Sequence, residues 1–287
     1  MNRREFINPN LPIGVFDSGL GGLTVVREIL KQLPHENILY FGDLARLPYG
    51  IKSKRQITDF SRENTDFLIE CGVKAVVVAC NSSASAAGNE LRKSYDIPIL
   101  DVIRPAAREA VRISGKKRIG VIATSATIAS GAYEKTLKGF EPKAQVFTQA
   151  CPLFVPLVEE GILSGQIADS VIGQYIKPMT QKKIDTLILG CTHYPLLKAA
   201  IQRYVGPKIG LVDSANPTVS DLCTLLESQN LLSDSERKGD LHIFVSDLPQ
   251  TFLKIGERFL GKKLANVKLV RLTEKTTIHR KWAAGVT

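Results

Sequence analysis

The sequence predicts an α/β protein of two pseudo-symmetric domains, each a mainly parallel sheet flanked by helices, with the active site in the cleft between them. Two observations carry this. Apolar runs of strand length alternate with helix-like segments, the pattern of parallel β–α units. Two landmarks also recur: IGVFDSG at Ile13 returns as IGVIATS at Ile119, 106 positions on, and AVVVACNS returns as TLILGCTH, with Cys80 and Cys191 111 positions apart. Buried parallel strands all resemble one another, being rich in Val, Ile and Leu. Two matched pairs in register, one carrying a cysteine at the same strand end, favour a duplicated unit instead.

Taken in order, the expected strands are Ile13–Asp17, Asn37–Asp43, Ala75–Cys80, Ile97–Val102, Arg118–Thr124, Ala144–Ala150, Asp185–Cys191 and Ile209–Asp213. The run from Ala75 to Cys80 carries no charge and no alternation, as a strand buried on both faces should. Proline follows a strand end near Asp101–Pro105 and again near Asp213–Pro217, and there the chain is expected to cross between domains and return. One domain then comprises residues 1–103 completed by 214–287, and the other 104–213. Asp240–Asp247 (DLHIFVSD) adds a further strand to the first.

The 287 residues suffice for two domains of ordinary size, and 44% hydrophobic with 23% charged content describes a soluble chain with a real core. No apolar run approaches the roughly 18 residues that span a bilayer, and the N-terminal MNRREFINPNLP lacks the apolar segment of a secretory signal. Five scattered cysteines, an odd number, read as reduced thiols in a cytoplasmic protein. Much of the net charge of +10 is local: Lys254–Lys281 holds nine Lys or Arg and two Glu, a local +7. With Phe259 as its single aromatic, that segment reads as a solvated basic face or tail, and nucleic acid is not an expected partner. Polyanion binding by this segment is the alternative from outside enzymology.

In open parallel sheets ligands sit beyond the carboxyl ends of the strands. Cys80 and Cys191 both fall there, and the duplication places one on each side of the cleft. A redox pair as C-x-x-C is absent. Cys191 and His193 (CTH) find no further ligands at metal spacing among His35, His242 and His279, so no metal is expected. Neither a Schiff-base lysine nor a phosphate cup for pyridoxal is signalled, so no cofactor is expected. Two-base proton transfer remains, one thiolate taking a proton from carbon while a thiol opposite returns one. A thiol reference pKa of about 8.5 keeps both forms accessible.

The glycines of GLGGLT after the first strand invite a dinucleotide reading, with Asp43 as a ribose ligand. Thr24 stands where the third glycine belongs and Asp17 would crowd a pyrophosphate. The glycines are instead expected to let backbone N–H groups approach a small anion.

The segments IGVFDSGLGGLTVVREI, YFGDLARLPYG, VVVACNSSAS, PLFVPLVEEG and LILGCTHYPLL lie in one order from about Ile13 to Asn216. In this combination the chain resembles the glutamate racemases of the cofactor-independent aspartate/glutamate racemase superfamily. The resemblance implies interconversion of L- and D-glutamate without a cofactor, D-glutamate supply for peptidoglycan, and a cytoplasmic homodimer. A racemase for aspartate or another amino acid is the nearest alternative. The resemblance makes Cys80 the thiol that deprotonates D-glutamate and Cys191 the one that deprotonates L-glutamate. Asp17 manages the Cys80 proton, His193 partners Cys191, and Glu159, with Glu160 adjacent, assists His193. Asp17, Ser18, Pro48, Tyr49, Gly50, Asn81, Ser82, Thr124, Thr127, Thr192 and His193 are the implied substrate contacts. Read as isolated residues, most of these are ordinary caps and turns. Ser82 and Leu44 both stand where the family usually has Thr.

Overall fold

The structure, a computed structural model, describes residues 7–248, 252–265 and 267–272. Its strands are β1 (Ile13–Asp17), β2 (Ile38–Gly42), β3 (Ala75–Val78), β4 (Ile99–Asp101), β5 (Arg118–Ala123), β6 (Gln145–Ala150), β7 (Thr186–Gly190), β8 (Gly210–Asp213), β9 (Leu241–Val245) and β10 (Val267–Leu269). They form two sheets, ordered β10-β9-β2-β1-β3-β4 and β6-β5-β7-β8. Every recorded pairing is parallel.

The order β2-β1-β3-β4 in one sheet is the order β6-β5-β7-β8 in the other. Register repeats as well: Ile13 pairs with Ala75, and Ile119 with Thr186. These are the residues that the two sequence echoes bring into correspondence, so the duplication extends to hydrogen-bond register. In both sheets the chain steps outward from the first strand of the unit to one neighbour and then to the opposite side. The sites between β1 and β3 and between β5 and β7 are therefore the crevices where parallel sheets bind ligands.

β1, β2, β3 and β7 are buried along their whole length, which explains their unbroken apolar runs. β6 is different. It is an edge strand whose residues are exposed or half-buried, and its polar Gln145, Thr148 and Gln149 suit that place. Its counterpart β2 is covered by β9 and then β10. The expected strand at Asp240–Asp247 is β9, whereas β10 lies within the basic stretch read as a face or tail. That stretch is not simply solvated: helix Phe252–Leu260 packs against helix Leu23–Gln32, and Phe259 is fully buried. The part of Lys254–Lys281 beyond residue 272, like the N-terminal residues 1–6, lies outside the described residues. Among the described residues no helix is long and apolar enough to cross a membrane.

Two expected strands end early, and this positions the chemistry. β3 stops at Val78 and β7 at Gly190, so Cys80 and Cys191 stand in the bends after their strands. Cys80 is the N-cap of helix Asn81–Ser94, with an extended backbone at φ −69° and ψ 119°.

Candidate active site

A cavity of about 330 Å³ lies between the carboxyl ends of the two sheets. Ser18 after β1, Cys80 to Ser82 after β3, Thr124 after β5 and Cys191 to His193 after β7 all line it. Both crevices of the duplicated unit thus open into one chamber, and both thiols face it. Cys80 is 5% exposed and Cys191 6%, so neither is sealed from a ligand and neither lies open to bulk water.

On the Cys80 side, the sulfur donates to Ser18 Oγ at 3.5 Å. Burial pushes this thiol up to about 11, and the nearby Asp17 carboxylate pushes the same way. Asp17 itself is fully buried: Oδ1 accepts the Gly19 N–H at 2.9 Å and Oδ2 accepts the Thr192 hydroxyl at 3.2 Å. Burial raises the Asp17 carboxyl above the ordinary carboxylate range, while His193 and these hydrogen bonds pull against it.

On the Cys191 side, the sulfur lies 4.0 Å from His193 Nδ1, and His193 Nε2 lies 3.3 Å from Glu159 Oε1. Burial works against an imidazolium here, but Cys191 and Glu159 outweigh it and push His193 up to about 10. The His193 ring also meets the edge of Phe259, with centroids 5.1 Å apart. Glu159, rather than Glu160, is the acid that makes this contact.

The remaining predicted residues divide into wall and backing. Pro48, Tyr49, Gly50, Asn81 and Ser82 line the cavity with Thr124, Thr192 and Glu159. Asp17 and Thr127 stand behind it, bonded to lining residues. Ser82, Thr124 and Thr127 share their hydroxyls across the two halves, at 2.9 Å for Ser82–Thr124 and 3.0 Å for Thr124–Thr127. Thr124 also caps helix Ser125–Ala129, so cap and wall coexist in one side chain. Asn81 accepts from the Tyr133 hydroxyl at 2.7 Å, and its buried Nδ2 has no protein partner.

The glycine expectation needs correcting. Gly19 turns its N–H to Asp17 rather than leaving it for an anion. Gly21 serves close approach: a Cβ there would lie 2.1 Å from Thr192 Oγ1 and 2.7 Å from His193 Nδ1. Asp43 is likewise occupied, accepting from Tyr49 Oη, from Arg46 Nε at 2.6 Å and from Ser246 Oγ at 2.8 Å. It fixes the Pro-Tyr-Gly turn from behind.

Residue-by-residue reading missed one wall. Leu47 and Ile51 flank the Pro-Tyr-Gly turn, and Cys151, Pro152, Val155 and Pro156 follow β6. The duplication held a signal for them, because β6 corresponds to β2 and the turns after both strands line the chamber. Among the described residues no three His, Cys, Asp or Glu side chains converge as a metal site.

Residues 13–222 match the Asp/Glu/hydantoin racemase family. A glutamate racemase of Neisseria meningitidis is 47% identical over 269 residues, spanning 93% of this chain and 99% of its own. One of Geobacter metallireducens is 46% identical over 260 residues, spanning 91% and 96%. The glutamate racemase of Francisella tularensis, solved in complex with D-glutamate, superposes with a TM-score of 0.87 at 38% identity, covering 92% of this chain and 99% of that one.

Proposed function

The chain belongs to the Asp/Glu/hydantoin racemase family, and from that membership we propose that it acts as a glutamate racemase, an isomerase that inverts the α-carbon of glutamate with two thiols and no cofactor. One observation carries the reading: cysteines at corresponding ends of two duplicated strands line one cavity. A substrate held between them meets a base on one face and an acid on the other.

The two thiols have different neighbours. Cys80 is held as the thiol, while Cys191 has the His193 cation beside it, so a thiolate there has an immediate counterion. As the family resemblance implies, Cys191 takes the α-proton of L-glutamate, and Cys80 gives its proton to the opposite face of the carbanion. In the reverse direction Cys80 must be deprotonated first, and Asp17 near it is the group that receives or relays that proton. Glu159 keeps His193 charged and oriented. Asn81 Nδ2, the hydroxyls of Ser18, Ser82, Thr124 and Thr192, and the Pro48–Gly50 turn bind the carboxylates and ammonium, with Thr127 holding Thr124.

The same reading assigns residues 1–103 with 214–287 to one domain and 104–213 to the other, supported by the membership of the two sheets. It places a homodimer in the cytoplasm, where a reducing environment suits working thiols, feeding D-glutamate into peptidoglycan. The test is circular dichroism of L- and D-glutamate, with L- and D-aspartate alongside. Decay of either glutamate enantiomer to zero ellipticity is expected. Turnover of aspartate alone, or of nothing, overturns the assignment.

A further inference from the structure

We propose that Tyr133 is a positioning residue that fixes which end of the Asn81 carboxamide faces the cavity, so that the site offers a donor there and selects a carboxylate. The proposal rests on the glutamate reading for its ligand, but its geometry stands alone. Tyr133 comes from the second half of the molecule, in helix Ala132–Phe140, and is 2% exposed. Its hydroxyl donates to Asn81 Oδ1 at 2.7 Å, and the Ser214 side chain lies near the same hydroxyl. Ser214 lies just past β8, where the chain turns back towards the first sheet.

A primary amide has one accepting and one donating end, and its neighbours decide which is used. With the Tyr133 proton directed at Asn81 Oδ1, Nδ2 becomes the end with no protein partner. A buried donor left unpaired is costly, because it has lost water without gaining a partner. That cost is recovered when a ligand acceptor arrives, so a carboxylate oxygen is favoured over an ammonium. The opposite polarity would send Asn81 Nδ2 to Tyr133, the Tyr133 proton to Ser214, and turn Oδ1 to the ligand. Asn81 is also the first residue of the helix that Cys80 caps, so an amide locked from across the cleft holds the ligand beside that thiol.

The experiment uses full-length protein labelled with ¹⁵N-asparagine. Without ligand, the Asn81 side-chain amide should be ordered in wild type and mobile in Tyr133→Phe, whose ring keeps its packing. An equally ordered amide in the variant overturns the relay, whatever the protein catalyses. With D-glutamate, KM in Tyr133→Phe should rise about tenfold while kcat changes less than threefold; an unchanged KM overturns the link to binding. Ser214→Ala removes the hydroxyl near Tyr133 and should raise KM only two- to threefold. Asn81→Asp keeps the shape but replaces the donor by an acceptor, and should weaken D-glutamate binding, measured by calorimetry, at least tenfold. Retained or tighter binding there means that the amide meets the ammonium, and the assigned polarity is wrong. A wild type that binds no glutamate sinks the substrate reading, and the relaxation measurement still decides the relay.

Discussion

The two halves of the molecule share strand order, register and a thiol at the same strand end, yet the thiols sit in opposed surroundings. Burial, and after it the neighbouring Asp17 carboxylate, pushes Cys80 up to about 11. Cys191 has an imidazole pushed up to about 10, backed by Glu159. Duplication supplies the symmetry that puts a sulfur on each face of a carbon. The residues that differ between the halves give the two sulfurs different neighbours, Asp17 near Cys80 and His193 beside Cys191. Inversion needs one sulfur protonated and one not, and unlike surroundings can favour one arrangement over its mirror.

The largest effect should come from removing either sulfur. Cys80→Ala and Cys191→Ala are each expected to lower racemisation by about 10³- to 10⁴-fold, the upper range for a positioned acid or base. The variants should differ in what they keep. In D₂O, followed by proton NMR, Cys191→Ala retains some α-proton exchange of D-glutamate and Cys80→Ala some of L-glutamate, each without inversion. Full two-way turnover by either variant rejects the paired roles.

The next effect tests the asymmetry itself. His193→Gln removes the cation beside Cys191 and should cost about 10²-fold. Enantiomers have equal free energy, so their equilibrium constant is unity and kcat/KM must fall equally in both directions. The asymmetry has to be sought elsewhere. Proton transfer at Cys191 becomes the slow step, so the α-deuterium isotope effect should grow with L-glutamate and shrink with D-glutamate. Equal effects in both directions would mean that His193 serves both thiols alike, as its electrostatic contact with Asp17 would allow.

Glu159→Gln sharpens the same point more gently. Glu159 is about one-third exposed, so its loss should cost about tenfold or less in kcat. Its signature is in the pH profile. His193 stays protonated up to about pH 10 partly because of Glu159. Without that carboxylate the imidazolium deprotonates sooner, and the alkaline limb of kcat should move down by about one pH unit. Stability follows the same sign. The folded value lies above the ordinary 6.5, so the contribution is whole below pH 6.5 and is lost as pH rises towards 10. Thermal unfolding of wild type and variant should therefore diverge at neutral pH and converge above pH 10.

How much of this was legible in the sequence depended on which interactions repeat. Parallel strands buried on both faces advertise themselves as apolar runs, and a duplicated unit advertises its own correspondence, so the parallel α/β units and the two thiols followed from local patterns, whereas the strand order came with the structure. Contacts between distant segments leave no such trace. Gly21 reads as part of a glycine loop, and nothing near it announces that Thr192 and His193 will press against its Cα. Phe259 sits in a basic stretch, and its place against His193 depends on how the C-terminal helix folds back. Cys151 lies in the turn after an edge strand whose half-exposed pattern is unlike that of β2, so its correspondence with the Pro-Tyr-Gly side was obscured.

The smallest effect concerns a position where the halves differ and one of them carries no charge. Ser82 stands two residues after Cys80 as His193 stands two after Cys191, and its hydroxyl joins Thr124 at 2.9 Å and Thr127 at 3.4 Å. Ser82→Thr keeps that hydroxyl and adds one methyl, worth about 0.8 kcal/mol if the methyl is fully buried. The expected change in the KM of either enantiomer is therefore within about fourfold, with kcat and both isotope effects unchanged. Ser82→Ala, which leaves Thr124 and Thr127 to bond each other, should raise KM further but likewise spare the isotope effects. On the proposed function Ser82 belongs to the wall that grips the substrate, whereas Asp17 behind that wall and His193 beside Cys191 serve the proton transfer. An isotope effect that became unequal between L- and D-glutamate in Ser82→Thr would show that the shared hydroxyls also feed the thiol chemistry, and the division between grip and proton control would fall.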